Sequence, residues 1–153
     1  MTHLKEGDIA PEFSGLDQDL NKRSLSDYKD KKLVLFFYPK DNTPGCTAEA
    51  CDLTENYDRL THAGFEVLGV SADDAKSHKK FISKFGLSFN LIADIEKKIC
   101  CNYGVFGIKK FMGREYKGIH RTTFIISKNQ IIEKIFTKVK TKEHTKQILE
   151  SYK

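Results

Sequence analysis

Apolar residues fall along this chain in two rhythms, and the first strong one is an unbroken run. Leu33-Val34-Leu35-Phe36-Phe37-Tyr38 contains no polar break, which predicts a central β-strand over 32–38, covered on both faces. After a Pro- and Gly-containing turn the rhythm changes. Cys46, Ala50, Leu53, Tyr57 and Leu60 recur at alternating steps of four and three, one stripe of an α-helix that runs to about Ala63 and stops at Gly64. Residues 65–71 give the next buried strand, and Asp73 and Asp74 open a helix that ends before Gly86. A short strand over 89–93 and a short helix over 95–103 follow. Residues 121–127 and 131–139 read as strands joined by the tight turn Lys128-Asn129-Gln130. Thr141 is placed to cap a last helix to Tyr152, with Ile148, Leu149 and Tyr152 turned inward. At the start, 12–16 and 22–25 pair as a small hairpin, with 26–30 a helical turn or loop. The stretch 105–118 shows no period and reads as an irregular, basic loop.

Strand, helix, strand, helix, strand, then hairpin and helix implies a mixed sheet: parallel crossovers first, an antiparallel edge after. That is an α/β domain of thioredoxin-like fold, a central mixed β-sheet flanked by helices with an N-terminal β-hairpin extension, occupying 1–153 as a single domain. At 153 residues there is room for one proper core and not for two. No long uncharged apolar run offers a membrane span, and Met1-Thr2-His3-Leu4-Lys5-Glu6 lacks a signal-peptide core, so a cytoplasmic protein without a membrane partner is expected. The net charge of +5 comes from dispersed lysines and reads as a solvated surface; no aromatic-rich basic motif points to nucleic acid. Four cysteines without a C-x-x-C pair, and five histidines without ligand spacing beside them, point to redox thiol chemistry. They argue against zinc, and no metal or other cofactor is called for.

The candidate chemistry lies where the strand hands over to the helix, in Pro39-Lys40-Asp41-Asn42-Thr43-Pro44-Gly45-Cys46. Asn42 and Thr43 are N-cap types and Pro44 suits the first helical turn. Cys46 then sits among the unpaired N–H groups at the positive end of the helix dipole, where a thiol is expected to be partly ionised and nucleophilic. A cysteine is ordinarily just a small buried hydrophobe; the pattern of Pro39, Thr43, Gly45 and Arg121 around this one argues for more. Cys51 lies five residues on. In an intact helix that spacing puts the two Cα atoms about 8.5 Å apart, beyond the roughly 7 Å limit for a disulfide, so the two sulfurs could join only if the helix unwound. Cys100 and Cys101 read as core or near-surface thiols of a short helix.

Pro39-x-x-x-Thr43-x-x-Cys46 at a strand-to-helix junction resembles the active-site signature of the peroxiredoxins, and Arg121 matches the arginine that completes it. Cys51, and the segment from Phe111 to Arg121, resemble the Q-type subfamily, the bacterioferritin comigratory proteins. The resemblance implies a thiol-dependent peroxidase that reduces hydrogen peroxide or organic hydroperoxides. Cys46 would be the peroxidatic nucleophile and Cys51 the resolving thiol in an intrachain disulfide, with thioredoxin or a similar dithiol as reductant. Thr43, Gly45, Cys46 and Arg121 would bind the substrate, Pro39 and Tyr38 would wall the sulfur from water, and Glu49 would orient Arg121. A resolving thiol in the same chain implies a monomer. Two competing readings are a thioredoxin-like disulfide oxidoreductase, which lacks its C-x-x-C here, and a non-enzymatic redox sensor using the cysteine pair as a switch. The basic stretch 109–121 is read as a solvated loop beside the site that could also meet an acidic reductant.

Overall fold

In the computed structural model, which describes residues 2–153, the uninterrupted apolar run is β3 (Lys32–Phe37), the middle strand of five. It pairs in parallel with β4 (Phe65–Ser71), which pairs in parallel with β5 (Asn90–Ala93). On its other side it runs antiparallel to β8 (Thr122–Ile126), which pairs with the edge strand β9 (Ile132–Phe136). Alternation along β3 feeds two cores. Leu33, Leu35 and Phe37 point to one face, covered by Phe13 and Leu25 of the N-terminal segment, by Ile99 and Cys100 of α4 (Lys98–Asn102), and by Tyr103 just after it. Val34 and Phe36, with Tyr38 next in the chain, point to the other face. That face is packed by α1 (Pro44–Glu55), α2 (Tyr57–His62), α3 (Ala75–Phe85) and α5 (His144–Glu150). The N-terminal hairpin is present as β1 (Ser14–Leu16) and β2 (Lys22–Ser24), followed by a 3-10 turn at Leu25–Tyr28.

Four local expectations need correction. The helix after Cys46 is two helices, because Asn56 breaks it: its side-chain Nδ2 donates to Asp52 O at 2.8 Å, and its backbone turns out of helical geometry at φ −105° and ψ 14°. An asparagine that bonds its own local backbone competes with the helical ladder. The stretch 105–118 is not an irregular loop but a second hairpin, β6 (Phe106–Phe111) and β7 (Arg114–Ile119). It turns through Met112 and Gly113 at φ 51° and 81°, the two left-handed residues of a tight hairpin turn. The last helix begins at His144 with Glu143 as its N-cap, two residues beyond Thr141. Tyr152 is not inward but 37% exposed, its hydroxyl donating to Glu133 Oε1 at 2.7 Å.

Candidate active site

β3 delivers the chain to the loop 38–43, and four hydrogen bonds centred on Asp41 hold that loop. The Asp41 N–H donates to Asp73 Oδ2 at 2.8 Å; the hydroxyls of Tyr38 and Ser77 donate to the Asp41 carboxylate at 2.6 and 2.8 Å. His78, 0% exposed, stands with Nδ1 2.7 Å from Asp41 Oδ2 and Nε2 2.9 Å from the Ile92 carbonyl, two acceptors that a doubly protonated ring satisfies together. Asp41, Asp73 and His78 bring ligand-type atoms within 4.8 Å of one another. Those atoms are engaged in the bonds just described, so the cluster is a brace for the loop and not a metal seat. Asn42 takes a left-handed φ of 60°, which asparagine tolerates, and turns the chain into α1.

Thr43 is the N-cap and Pro44 the first helical residue. The Thr43 hydroxyl donates to Lys40 O at 2.8 Å and not to the helix, which pins the loop and leaves the oxygen's lone pairs free to accept. The first i→i−4 bond of α1 runs from Thr47 N to Thr43 O at 2.8 Å, so the N–H groups of Gly45 and Cys46 precede the ladder and have no partner within it. Arg121, at the entrance to β8, reaches back over this helix start. Its Nη2 lies 3.4 Å from Cys46 Sγ and its Nη1 donates to Glu49 Oε1 at 2.9 Å. Gly45 makes room for it: a Cβ there would stand 3.1 Å from Nη2. The arrangement sets a fixed cation and two helix-end N–H groups about one sulfur, a setting for a thiolate and for charge developing on a small polar substrate.

Cys46 is 1% exposed, packed with Tyr38 at the top of the α1 core, with Pro39 half-buried beside them in the chain. In this state access to the sulfur requires the helix start or the Arg121 side to move. Cys51 is half-buried on the intact α1, and its thiol is pushed up by burial and by Glu55. All four cysteines are free. Cys100 is fully buried, and burial together with Asp94 raises its thiol far above the ordinary range, which makes it inert; Cys101 is exposed.

The structure thus brings together Thr43, Gly45, Cys46, Glu49 and Arg121, and sets Cys51 one and a half turns away along α1; Pro39 is half-buried in the loop that leads to them. Sequence reasoning passed over Asp41, His78, Thr123 and His144. The available signal was a histidine on an apolar helical stripe: His78 with Phe81 and Phe85, and His144 with Ile148.

The AhpC/TSA family profile matches residues 7–135. Over 144 residues the chain is 44% identical to peroxiredoxin Bcp of Escherichia coli K12, covering 94% of this chain and 92% of that one. A cysteine-to-serine variant of PrxQ from Xylella fastidiosa superposes with a TM-score of 0.92 at 31% identity, over 99% of this chain and 97% of that one. The bacterioferritin comigratory protein of Xanthomonas campestris, solved in a study of its alkyl peroxide reduction, superposes with a TM-score of 0.86 at 30% identity, over 99% and 96%.

Proposed function

The chain belongs to the AhpC/TSA family and, with the Bcp and PrxQ peroxiredoxins as its relatives, is a thiol-dependent peroxidase; we propose that Cys46 is the sulfur its substrate oxidises. The observation that carries this is the guanidinium of Arg121, 3.4 Å from Cys46 Sγ and held in place by Glu49 at 2.9 Å. The cation favours the thiolate and grips the peroxide oxygens as charge moves onto them. The thiolate attacks the distal oxygen of R–O–O–H. The S–O bond forms as the O–O bond breaks, sulfur is oxidised by two electrons to the sulfenic acid, and the RO⁻ that leaves takes up a proton as the alcohol or water. Thr43 Oγ1, its own proton committed to Lys40 O, accepts the hydrogen bond of the hydroperoxide O–H. The Gly45 and Cys46 N–H groups donate to the oxygens. Hydrogen peroxide and alkyl hydroperoxides share this head group, and both are substrates in this reading.

Cys51 then attacks the sulfenic sulfur. An S–S bond forms, the hydroxyl leaves as water, and the unwinding of α1 that this demands also frees Cys51 from the burial that holds its proton. The unwinding has a natural limit. Thr145 N donates to Asp52 Oδ2 at 2.7 Å and ties α1 to α5 immediately after Cys51. A dithiol donor, thioredoxin or its like, reduces the disulfide by exchange and restores the helix. With the resolving thiol in the same chain the enzyme works as a monomer, and a reducing cytosol suits four free thiols.

A peptide map after one equivalent of hydrogen peroxide tests the scheme: the expected product joins Cys46 to Cys51. Cys46→Ser is expected to abolish peroxide consumption. Cys51→Ser should consume one equivalent and then stop, because no thioredoxin-reducible disulfide forms. Normal recycling by Cys51→Ser would remove Cys51 from the mechanism.

A further inference from the structure

Glu49 is the one charged residue among the buried residues of α1, 0% exposed, and only one of its oxygens is accounted for. Oε1 accepts from Arg121; Oε2 has no hydrogen-bond partner among the described residues and faces His144 Nε2 at 3.7 Å. The state of that imidazole can be read from the far side. Gln147 Nε2 donates to Lys138 O and its Oε1 accepts from Lys140 N, both at 3.0 Å, so the amide orientation is fixed. His144 Nδ1, 2.9 Å from the same Oε1, therefore carries hydrogen. In the neutral ring Nε2 is then a bare acceptor, taking the Thr123 hydroxyl proton at 2.9 Å.

Two acceptors facing each other in a dry interior are unfavourable, and one proton between them removes the conflict. We propose that His144 is a positioning residue of the peroxidase site: its acceptor Nε2, 3.7 Å from Glu49 Oε2 and donating nothing to it, disfavours a carboxylate there and keeps that carboxyl neutral. Arg121, still gripped through Oε1, then directs its full charge at Cys46 and the peroxide. The inference rests on the peroxidase reading of Cys46 and Arg121. Burial pushes the Glu49 carboxyl up to about 7 against the pull of Arg121, with Asp52 adding to the rise. Burial brings His144 down to about 4, although Gln147 and Asp52 favour its charged form. On the acid side of about 7 the proton therefore resides on Glu49. A further charge near the site is Lys109 of the β6–β7 hairpin, which acts on Arg121 and Cys46. When Glu49 loses the proton its carboxylate offsets the guanidinium, and the site weakens on the alkaline side.

The test is the second-order rate constant for Cys46 oxidation from pH 5 to 9, by quenched flow and mass spectrometry, for the wild type, His144→Gln and Glu49→Gln. The wild type should show an alkaline limb, and Glu49→Gln should lack it. In His144→Gln the amide N–H can satisfy Oε2 as a carboxylate. The limb should then move acidward by half a unit or more, a threefold or greater loss near pH 8. Identical limbs in wild type and His144→Gln would overturn the proposal. Independently of any variant, ¹⁵N spectra of the wild-type imidazole should show the Nδ1–H tautomer of His144, with Nε2 responding at the midpoint of the limb; the opposite tautomer refutes it. A wild type that turns over peroxide with an unmoved limb in His144→Gln sinks only this proposal, whereas a wild type that consumes no peroxide sinks the peroxidase reading beneath it.

Discussion

A methyl group at position 45 would lie 3.1 Å from Arg121 Nη2, a contact that forces the guanidinium to shift by a few tenths of an ångström. That shift falls on the group 3.4 Å from the reacting sulfur. Alanine is the better helix former, by about 1 kcal/mol in a helix interior and less in a first turn. Gly45→Ala should therefore leave the unfolding free energy within about 1 kcal/mol of wild type. Its rate constant for Cys46 oxidation should fall roughly tenfold or more, a little over 1 kcal/mol in the barrier. Stability and rate moving together would mean that Gly45 serves the fold and not the placement of Arg121. The run from Pro39 to Cys46 was legible because its pattern is local, while Arg121, 75 residues from Cys46, was picked out only by its place in the family resemblance. The orientation of Arg121 by Glu49, 72 residues away, was likewise expected from the resemblance, whereas the meeting of His144 with Thr123 across 21 residues was not legible. Only the folded chain makes that meeting.

At the level of elements, the strand, the turn and the helix were readable because each buries an apolar face with its own period. The β6–β7 hairpin was not. Its outer residues, from Lys110 to Lys117, are all exposed, so no burial imprints an alternation, and the Met112-Gly113 turn is its one local signal. The break at Asn56 was equally hidden, since the apolar stripe continues through it to Leu60. Asp41 shows how elements cooperate to place the thiol: its carboxylate joins the end of β3, through Tyr38, to Ser77 and His78 of α3. Asp41→Ala leaves a buried imidazole and two hydroxyls without their acceptor. The loss expected is about 3–5 kcal/mol of stability. Urea unfolding measures it, and peroxidase activity should drop as the loop ahead of Cys46 loosens. A change below about 1 kcal/mol would show the brace to be dispensable.

For the molecule as a whole, two buried groups tilt stability in opposite directions with pH. The Glu49 carboxyl is raised by burial from 4.5 to about 7 in the fold. Its contribution is complete below the unfolded value and is lost as pH rises through the folded one. His144 is lowered by burial from 6.5 to about 4, so its contribution is complete above the unfolded value and lost as pH falls through the folded one. Glu49→Gln removes only the first dependence. Its stability relative to wild type should improve between pH 5 and pH 8 by on the order of 2–3 kcal/mol. Denaturant unfolding at the two pH values measures the change, and a constant difference would place the Glu49 proton elsewhere.

The depth of Cys46 also decides how its sulfur can be counted in the laboratory. At 1% exposure, beneath an arginine, it lies out of reach of a bulky electrophile such as a substituted maleimide, whereas Cys101 stands open on α4. Brief alkylation of the native protein should therefore tag Cys101 first and spare the reactive thiol. A free-thiol titre taken without denaturant would report the bystander and miss the enzyme.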